Sequence, residues 1–247
     1  MQQYFISGAA QPLVTITDKD TIKHMFQVMR LGDGDQVVLV FDDGIKYLAK
    51  VVDGAAYQLE IVQDLGENLE LPVEVTIASG FPKGDKLDFI TQKVTELGAA
   101  ALWAYPADWS VVKWDGKKLA KKEEKLAKIA LGAAEQSKRN KVPEIKLFEK
   151  KADFIGQLAE FDKILIAYEE SAKEGEKSAL ARALATCQTG QKVLFIFGPE
   201  GGISPKEIEI FEEAGGFKIG LGPRIMRTET APLYALSAVS YALEMNN

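Results

Sequence analysis

The stretch Val193-Leu194-Phe195-Ile196-Phe197-Gly198-Pro199-Glu200-Gly201-Gly202-Ile203-Ser204-Pro205 decides the fold class of this 247-residue chain. Its first five residues are apolar without alternation, which is typical of a parallel strand buried on both faces. The glycines that follow let the backbone approach a ligand closely, at the strand end where α/β proteins bind ligands. Spacing alone leaves two interpretations open, a small-molecule loop and a tight turn.

The next residues predict a helix start. Ser204-Pro205-Lys206-Glu207 has the N-cap serine, the proline and the glutamate of a capping box, so Ser204 and Glu207 are interpreted as structural. No Gly-Lys-Ser/Thr follows and no G-x-G-x-x-G is present, which excludes a P-loop and the dinucleotide fingerprint.

A second loop has the same character. The predicted strand Phe217–Leu221 ends in Gly222-Pro223-Arg224-Ile225-Met226-Arg227-Thr228-Glu229-Thr230, and an apolar helix follows from Ala231. Two glycine and proline loops after consecutive strands predict a lined pocket at one sheet edge. Arg224 and Arg227 are interpreted either as surface ion-pair formers or as functional, and their apolar surroundings favour a function.

Outward from these loops, strands and helices alternate from residue 72 onward. Strands are predicted at Val73–Ala78, Ala101–Tyr105, Ile145–Phe148 and Ile164–Ala167, and helices over residues 87–97 and 117–137. This alternation predicts an α/β fold, a parallel sheet covered by helices. Residues 1–70 are instead β-rich, with alternating runs at Gln36–Asp42, Lys46–Val52 and Tyr57–Asp64 separated by hairpin signals. We therefore predict two domains, 1–70 and 72–247.

Composition limits the chemistry. The chain is 47% apolar and 27% charged, as a globular protein is, with one cysteine, Cys187, and one histidine, His24. Neither a disulfide nor a zinc site nor a Ser/His/Asp triad is expected from this set. His24 is interpreted as structural rather than catalytic. With no signal peptide and no apolar run long enough for a bilayer, the prediction is a cytoplasmic, non-membrane protein without a metal.

Charge is distributed unevenly. The net charge is −6, yet the segment from Lys113 to Lys151 holds thirteen Lys and Arg against six Asp and Glu. Such a segment is either a face that contacts phosphates or a solvated helix face with i,i+4 pairs, and both interpretations stay open.

Four long motifs carry a resemblance to a known family: KGDKLDFITQKVTELG (83–98), AAEQSKR (133–139), GPEGGIS (198–204) and LGPRIMRTETA (221–231). They resemble the RsmE family of 16S ribosomal RNA uridine-N3 methyltransferases, in the SPOUT or α/β-knot superfamily. HMFQVMRLGDGDQV (24–37) is similar to the family's N-terminal PUA-like barrel. The resemblance implies a PUA-like RNA-binding barrel over 1–70, a SPOUT domain with a C-terminal trefoil knot over 72–247, a homodimer, and S-adenosylmethionine as cofactor.

The resemblance also implies residue roles. The expected substrate is one uridine of 16S ribosomal RNA, methylated at N3 within the small ribosomal subunit. The predicted cofactor-binding residues are Tyr168, Phe197, Gly198, Glu200, Gly201, Gly202, Leu221, Gly222, Ile225 and Met226. The predicted RNA-binding residues are Arg30, Lys83, Lys86, Lys117, Lys121 and Arg139.

The reaction needs the N3 proton removed or the uridinate stabilised. Glu229 is the predicted base, and Arg227 and Arg224 the predicted stabilising cations. The alternative is that Glu229 caps the following helix or pairs with Arg227.

One triplet departs from the family pattern. Asp108-Trp109-Ser110 stands where the family has a triplet like Glu-Arg-Ser, so an arginine contact there is in doubt. An indole can instead stack on a base.

Two other functions remain open for the whole protein. They are ribose 2′-O-methylation, as in a neighbouring SPOUT group, and RNA binding without catalysis.

Overall fold

The structure is a computed structural model that describes residues 1–168 and 179–245. The chain forms two compact units. The first contains Met1–Glu70 and Ala134–Lys141, and the second contains Leu71–Ala133 and Val142–Asn247. The predicted division of the sequence did not include Ala134–Lys141 in the first unit. This segment belongs there because Arg139 pairs with Glu70 and the Asn140 amide donates to the carbonyls of Gly44 and Glu67.

The first unit is a five-stranded sheet of order β1-β3-β4-β5-β2. Its strands are β1 (Gln3–Phe5), β2 (Leu13–Thr15), β3 (Gln36–Val40), β4 (Lys46–Asp53) and β5 (Gln58–Asp64). The predictions for β3 to β5 are confirmed, whereas β1 and β2 were missed because three residues show no usable periodicity. Helix α1 (Lys19–Ile22) continues as a π-helix over Lys23–Val28, where His24 Nδ1 lies 3.1 Å from the Tyr4 hydroxyl.

The second unit is a six-stranded sheet of order β11-β9-β10-β6-β7-β8, in which every pairing is parallel. Its strands are β6 (Glu74–Gly80), β7 (Ala101–Tyr105), β8 (Glu144–Leu147), β9 (Lys163–Ala167), β10 (Lys192–Phe197) and β11 (Gly216–Ile219). Its helices are α2 (Lys86–Glu96), α3 (Gly116–Gln136), α4 (Lys151–Ile155), α5 (Ala179–Ala185), α6 (Pro205–Glu213) and α7 (Ala231–Ser240). A 3₁₀ turn spans Leu158–Glu160 and a π-helix spans Tyr241–Met245.

Strand β10 is buried on both faces, as its apolar run predicts. Val193, Phe195 and Phe197 pack with α2 and α7, whereas Leu194 and Ile196 pack with α4 and α6. Removing each such side chain from water contributes roughly 1.5–3 kcal/mol. The sheet is therefore held from both sides, and its strand ends are rigid supports for the loops that follow.

The fold class is the predicted one, a small strand-rich N-terminal domain followed by a parallel α/β domain, and the trefoil knot stays a prediction. No helix of the described residues is long and apolar enough to cross a membrane. Within residues 1–168 and 179–245, no three His, Cys, Asp or Glu side chains are grouped as metal ligands.

Candidate active site

A cavity of about 880 Å³ lies at the carboxyl edge of the parallel sheet. Strands β10, β9 and β11 are neighbours in the sheet, so their carboxyl ends meet at this edge. The loops after β10 and β11 form most of the cavity wall, and Tyr168 after β9, Lys86 and Trp109 also line it. The wall contains every predicted cofactor-binding residue: Tyr168, Phe197, Gly198, Glu200, Gly201, Gly202, Leu221, Gly222, Ile225 and Met226.

The glycine loop after β10 is closed tightly on itself. The Gly202 amide donates to the Pro199 carbonyl at 2.9 Å, and a Cβ on Gly198 would lie 2.4 Å from the Gly202 carbonyl carbon. Gly202 has φ +83°, in the left-handed region. A side chain at Gly198 would force the loop open, and one at Gly202 would strain the backbone, so both glycines suit the shape of this wall.

The helix after this loop begins with the predicted capping box. The Ser204 hydroxyl accepts from the Glu207 amide, and the Glu207 carboxylate accepts from the Ser204 amide. Both residues are buried, and Glu207 also accepts from the Asp108 amide at 3.0 Å. Their structural interpretation is therefore confirmed, with an additional contact to the segment that carries Trp109.

Three segments meet at the Lys86 amine. Lys86 Nζ lies 2.9 Å from Glu200 Oε1 and 3.1 Å from Glu229 Oε2. The pairs with these carboxylates, that with Glu200 first, raise the pKa of Lys86 against the opposing effect of burial. The lysine therefore remains charged and joins the start of α2 to both cavity loops.

The surroundings of Glu229 make it a poor general base. Burial alone would raise its pKa, but its own backbone N–H, Lys86 and Arg227 together lower the pKa below the usual glutamate value. A carboxylate stabilised in its charged form accepts a proton less readily. The base role of Glu229 stays a prediction, and these contacts count against it. Its ion pair is with Lys86, a partner that the sequence did not indicate.

Arg224 and Arg227 both line the cavity from the loop after β11, and both are exposed. The carbonyl of Arg227 accepts from the amides of Thr230 and Ala231, so the backbone of this arginine is tied to the start of α7. Two guanidinium groups thus stand at the cavity wall and are accessible to an anionic ligand.

The predicted RNA-binding residues differ in how exposed they are and in whether they form ion pairs. Arg30, Lys83, Lys117 and Lys121 are exposed, whereas Lys86 is engaged by Glu200 and Glu229 in the cavity wall. Arg139 stays a prediction as an RNA contact, although it is only 3% exposed and its guanidinium pairs with Glu70. Both observations favour a structural role for this arginine.

Both interpretations of the basic helix stay open, and the lysines of α3 differ in their contacts. Lys122 and Lys125 pair with Asp88, and Lys128 pairs with Glu124 four residues earlier. Lys117 and Lys121 are exposed and form no ion pair within the part of the chain that the structure describes. Only these two keep the character of a phosphate-binding face.

Sequence reasoning missed the segment that carries Trp109 as part of the cavity wall. Asp108 accepts from the Ser204 hydroxyl at 2.7 Å and from the Lys151 amine, and its backbone amide donates to Glu207. The bonds from Lys151 and Ser204 lower the pKa of Asp108. These partners lie 43 to 99 positions away in sequence, so no local pattern could indicate them.

Comparisons with known proteins agree with this architecture. Residues 69–240 match the family model of an RNA methyltransferase domain, and residues 16–62 match that of an RNA methyltransferase PUA domain. The chain is 44% identical over 252 residues to ribosomal RNA small subunit methyltransferase E of Bacillus subtilis, covering 99% of this chain and 98% of that protein.

Two solved structures with bound S-adenosylmethionine are also similar. One is the ribosomal RNA small subunit methyltransferase E of Neisseria gonorrhoeae, with 26% identity, a TM-score of 0.79 and 97% of each chain covered. The other is a putative methyltransferase of Legionella pneumophila, with 29% identity, a TM-score of 0.81 and 97% of each chain covered.

Proposed function

Because this chain belongs to the RsmE family of ribosomal RNA small subunit methyltransferases, we propose that it methylates N3 of one uridine in 16S ribosomal RNA. It is an S-adenosylmethionine-dependent RNA methyltransferase. The observation that carries the proposal is the cavity at the carboxyl edge of the sheet, whose wall combines a tightly closed glycine loop with two accessible arginines. A mainly backbone and apolar wall suits the cofactor, and the arginines suit a substrate that becomes negative.

The cavity fits the cofactor in size and in lining. Its volume of about 880 Å³ is within the roughly 300–1,000 Å³ of small-molecule sites. In this proposal the glycine loop from Gly198 to Gly202 holds the cofactor on one side, and Leu221, Gly222, Ile225 and Met226 hold it on the other. Tyr168 and Phe197 also line the site. When bound, S-adenosylmethionine supplies an electrophilic methyl group.

The arginines carry the chemistry on the RNA side. Uracil N3 is protonated at neutral pH, and its loss of the proton places negative charge on the ring oxygens. Arg227 stabilises this charge, assisted by Arg224, and the proton leaves to solvent. Glu229 keeps Lys86 in place and so supports the loop that carries both arginines.

The substrate contacts beyond the cavity are assigned to exposed cations. Lys117 and Lys121 on α3, with Lys83 and Arg30, contact phosphates of the RNA. The uridine is unpaired or flipped out, because N3 lies on the pairing edge of the base. We assign the enzyme to the cytoplasm and its substrate to the small ribosomal subunit.

The enzyme acts as a homodimer in this proposal. Helix α7 buries Pro232, Ala235, Leu236 and Val239 in its own unit, while Tyr234 and Tyr241 stay 42% and 61% exposed. Large aromatic side chains left in water beside an apolar helix are typical of an interface. A second copy of this chain is the partner that covers them.

The test is nucleoside analysis of 16S ribosomal RNA from a strain that lacks the gene, followed by methylation of its small subunits with the purified enzyme. We expect N3-methyluridine to be lost in the strain and restored in vitro. Loss of a 2′-O-methylated nucleoside instead would favour ribose methylation. An unchanged nucleoside profile would favour a non-catalytic RNA-binding role.

A further inference from the structure

Trp109 occupies an unusual place for a tryptophan. It lines the cavity, and 47% of it is exposed. By contrast, Trp103 is 5% exposed and Trp114 packs against Phe81 with ring centroids 4.5 Å apart. An indole is a large apolar surface that proteins generally bury unless it contacts a ligand or partner. Its exposure at the wall of the cavity leaves an aromatic face accessible to a ligand that enters there.

The backbone around this side chain is fixed. The preceding residue, Asp108, is bonded through its carboxylate to Ser204 and Lys151 and through its amide to Glu207. The following residue, Ser110, donates its backbone amide to the Ala107 carbonyl at 2.9 Å. Glu207 is fully buried, so this anchor is part of the domain core. The indole is thus presented from a rigid support, at little entropic cost to a ligand that binds it.

The indole also borders the glycine loop. A Cβ on Gly201 would lie 3.0 Å from Trp109 Cβ, and one on Gly202 would lie 3.8 Å from the six-membered ring. The tryptophan therefore extends the wall that holds the cofactor and ends in exposed aromatic surface. This surface faces the same cavity as Arg224 and Arg227.

We propose that the Trp109 indole is the stacking surface that holds the target uracil in the cavity. This inference rests on the proposed function. Methyl transfer to N3 takes place at the edge of the ring and in its plane, so both the N3 edge and the oxygens must stay accessible. Stacking holds a base by its face and leaves the whole edge free. The arginines contact the N3 edge of the uracil, while Trp109 fixes the plane of its ring.

The experiment compares Trp109→Ala with the conservative Trp109→Phe. Each variant is assayed with small subunits from the deletion strain, and cofactor affinity is measured by titration calorimetry. We expect Trp109→Ala to lower kcat/KM for the RNA by about 10–100-fold, the size of one lost stacking contact. Cofactor affinity should stay within a few fold. Trp109→Phe keeps an aromatic face and should retain most of the rate.

Fluorescence supplies a readout that does not depend on activity. A short oligouridylate should quench the emission of the unmodified enzyme and leave that of Trp109→Phe unchanged, because only Trp109 contacts the base. Acrylamide should also reach Trp109 in the RNA-free enzyme. Protection from acrylamide would mean that a second copy of the chain covers the indole, which overturns the proposal.

Two further outcomes would overturn it. Equal losses of cofactor affinity and of rate in Trp109→Ala would mean that the indole only braces the glycine loop. An unimpaired Trp109→Ala enzyme would mean that it has no role. The proposed function is judged separately, by whether the unmodified enzyme forms N3-methyluridine at all.

Discussion

Lys86 Nζ lies 3.1 Å from Glu229 Oε2, so the start of α2 and the loop that enters α7 are joined by an ion pair in the cavity wall. The same amine lies 2.9 Å from Glu200, on the glycine loop. Glu229 Oε2 is buried, and the charge of this carboxylate is stabilised by its own backbone N–H and by the ion pair with Lys86. One lysine therefore sets the separation of the two loops.

Removal of the Lys86 charge should weaken the cofactor site. In Lys86→Met the carboxylates of Glu200 and Glu229 lose their shared cation and repel each other, so the two loops should separate. We expect cofactor affinity to fall on the order of 10-fold, measured by titration calorimetry, since hydrogen bonds to charged groups contribute about 1.5–3 kcal/mol. Lys83→Met is the matched control, because only its backbone amide contacts Glu200. Equal effects of the two changes would contradict this role.

Replacement of Glu229 should lower the methylation rate by the same factor at every pH in the neutral and alkaline range. The pKa of Glu229 is lowered, so the group is already ionised from weakly acid pH upward and does not titrate where uracil loses its proton. Glu229→Gln should slow single-turnover methylation by a constant factor across the neutral and alkaline range. A deficit that disappears at high pH would restore Glu229 as the base. Glu209→Gln, at an exposed position on α6, is the control.

The lowered pKa of Glu229 should also make the free energy of unfolding depend on pH. A carboxylate whose pKa is lower in the folded protein stabilises it above the unfolded pKa of about 4.3, and this contribution is lost as pH falls through the folded pKa. The difference in free energy of unfolding between the unmodified enzyme and Glu229→Gln should therefore shrink in acid. Denaturant titrations at neutral and acid pH measure it, and a difference that grows in acid would contradict the ion pair.

A methyl group on Gly198 should disrupt the cavity without unfolding the domain. Its Cβ would meet the Gly202 backbone at 2.4 Å, so the loop has to open. We expect Gly198→Ala to lose cofactor affinity by at least about 10-fold while its far-ultraviolet circular dichroism stays native. Gly132→Ala is the control, because nothing lies within 4 Å of its Cβ. Normal cofactor binding by a folded Gly198→Ala enzyme would remove the glycine loop from the site.

Charge reversal on α3 should affect RNA and not the cofactor. The double variant Lys117→Glu with Lys121→Glu should bind RNA more weakly. The logarithm of its RNA association constant should also depend less steeply on the logarithm of the salt concentration, with the slope reduced by roughly 0.7–0.9 for each lost phosphate contact. The double change Lys192→Glu with Lys206→Glu alters net charge equally at two other exposed lysines and should leave the slope unchanged. If both double variants behave alike, the effect is one of net charge alone.

The exposed tyrosines of the C-terminal helices should control assembly. We expect the unmodified enzyme to sediment as a dimer at micromolar concentration and the variant with Tyr234→Glu and Tyr241→Glu to sediment as a monomer. Charges at these positions would have to be buried in the interface, which is costly. Phe89→Glu, at a 45% exposed phenylalanine on α2, should remain dimeric. An active monomer of the unmodified enzyme would contradict the proposal.

The sequence by itself determined most elements of the α/β domain and the sheet edge at which the cavity lies. The unbroken apolar run of β10, the capping box at Ser204 and the two glycine loops are local signals, and each depends on residues a few positions apart. Because parallel strands bring their carboxyl ends to one edge, the order of these elements was enough to predict which loops meet. The ten residues that the family resemblance implied for cofactor binding all line this cavity.

Only the tertiary structure decided which charged side chains form ion pairs or hydrogen bonds with one another. Lys86 with Glu229, Arg139 with Glu70, and Asp108 with Ser204 and Lys151 are pairs 43 to 143 positions apart, and a charged residue has no periodicity that would identify its partner. The predictions of Arg139 as an RNA contact and of Glu229 as a base were made without knowledge of these partners, which count against both. An ion pair depends on the distance between two atoms in space, and that distance is set by the packing of elements remote in sequence.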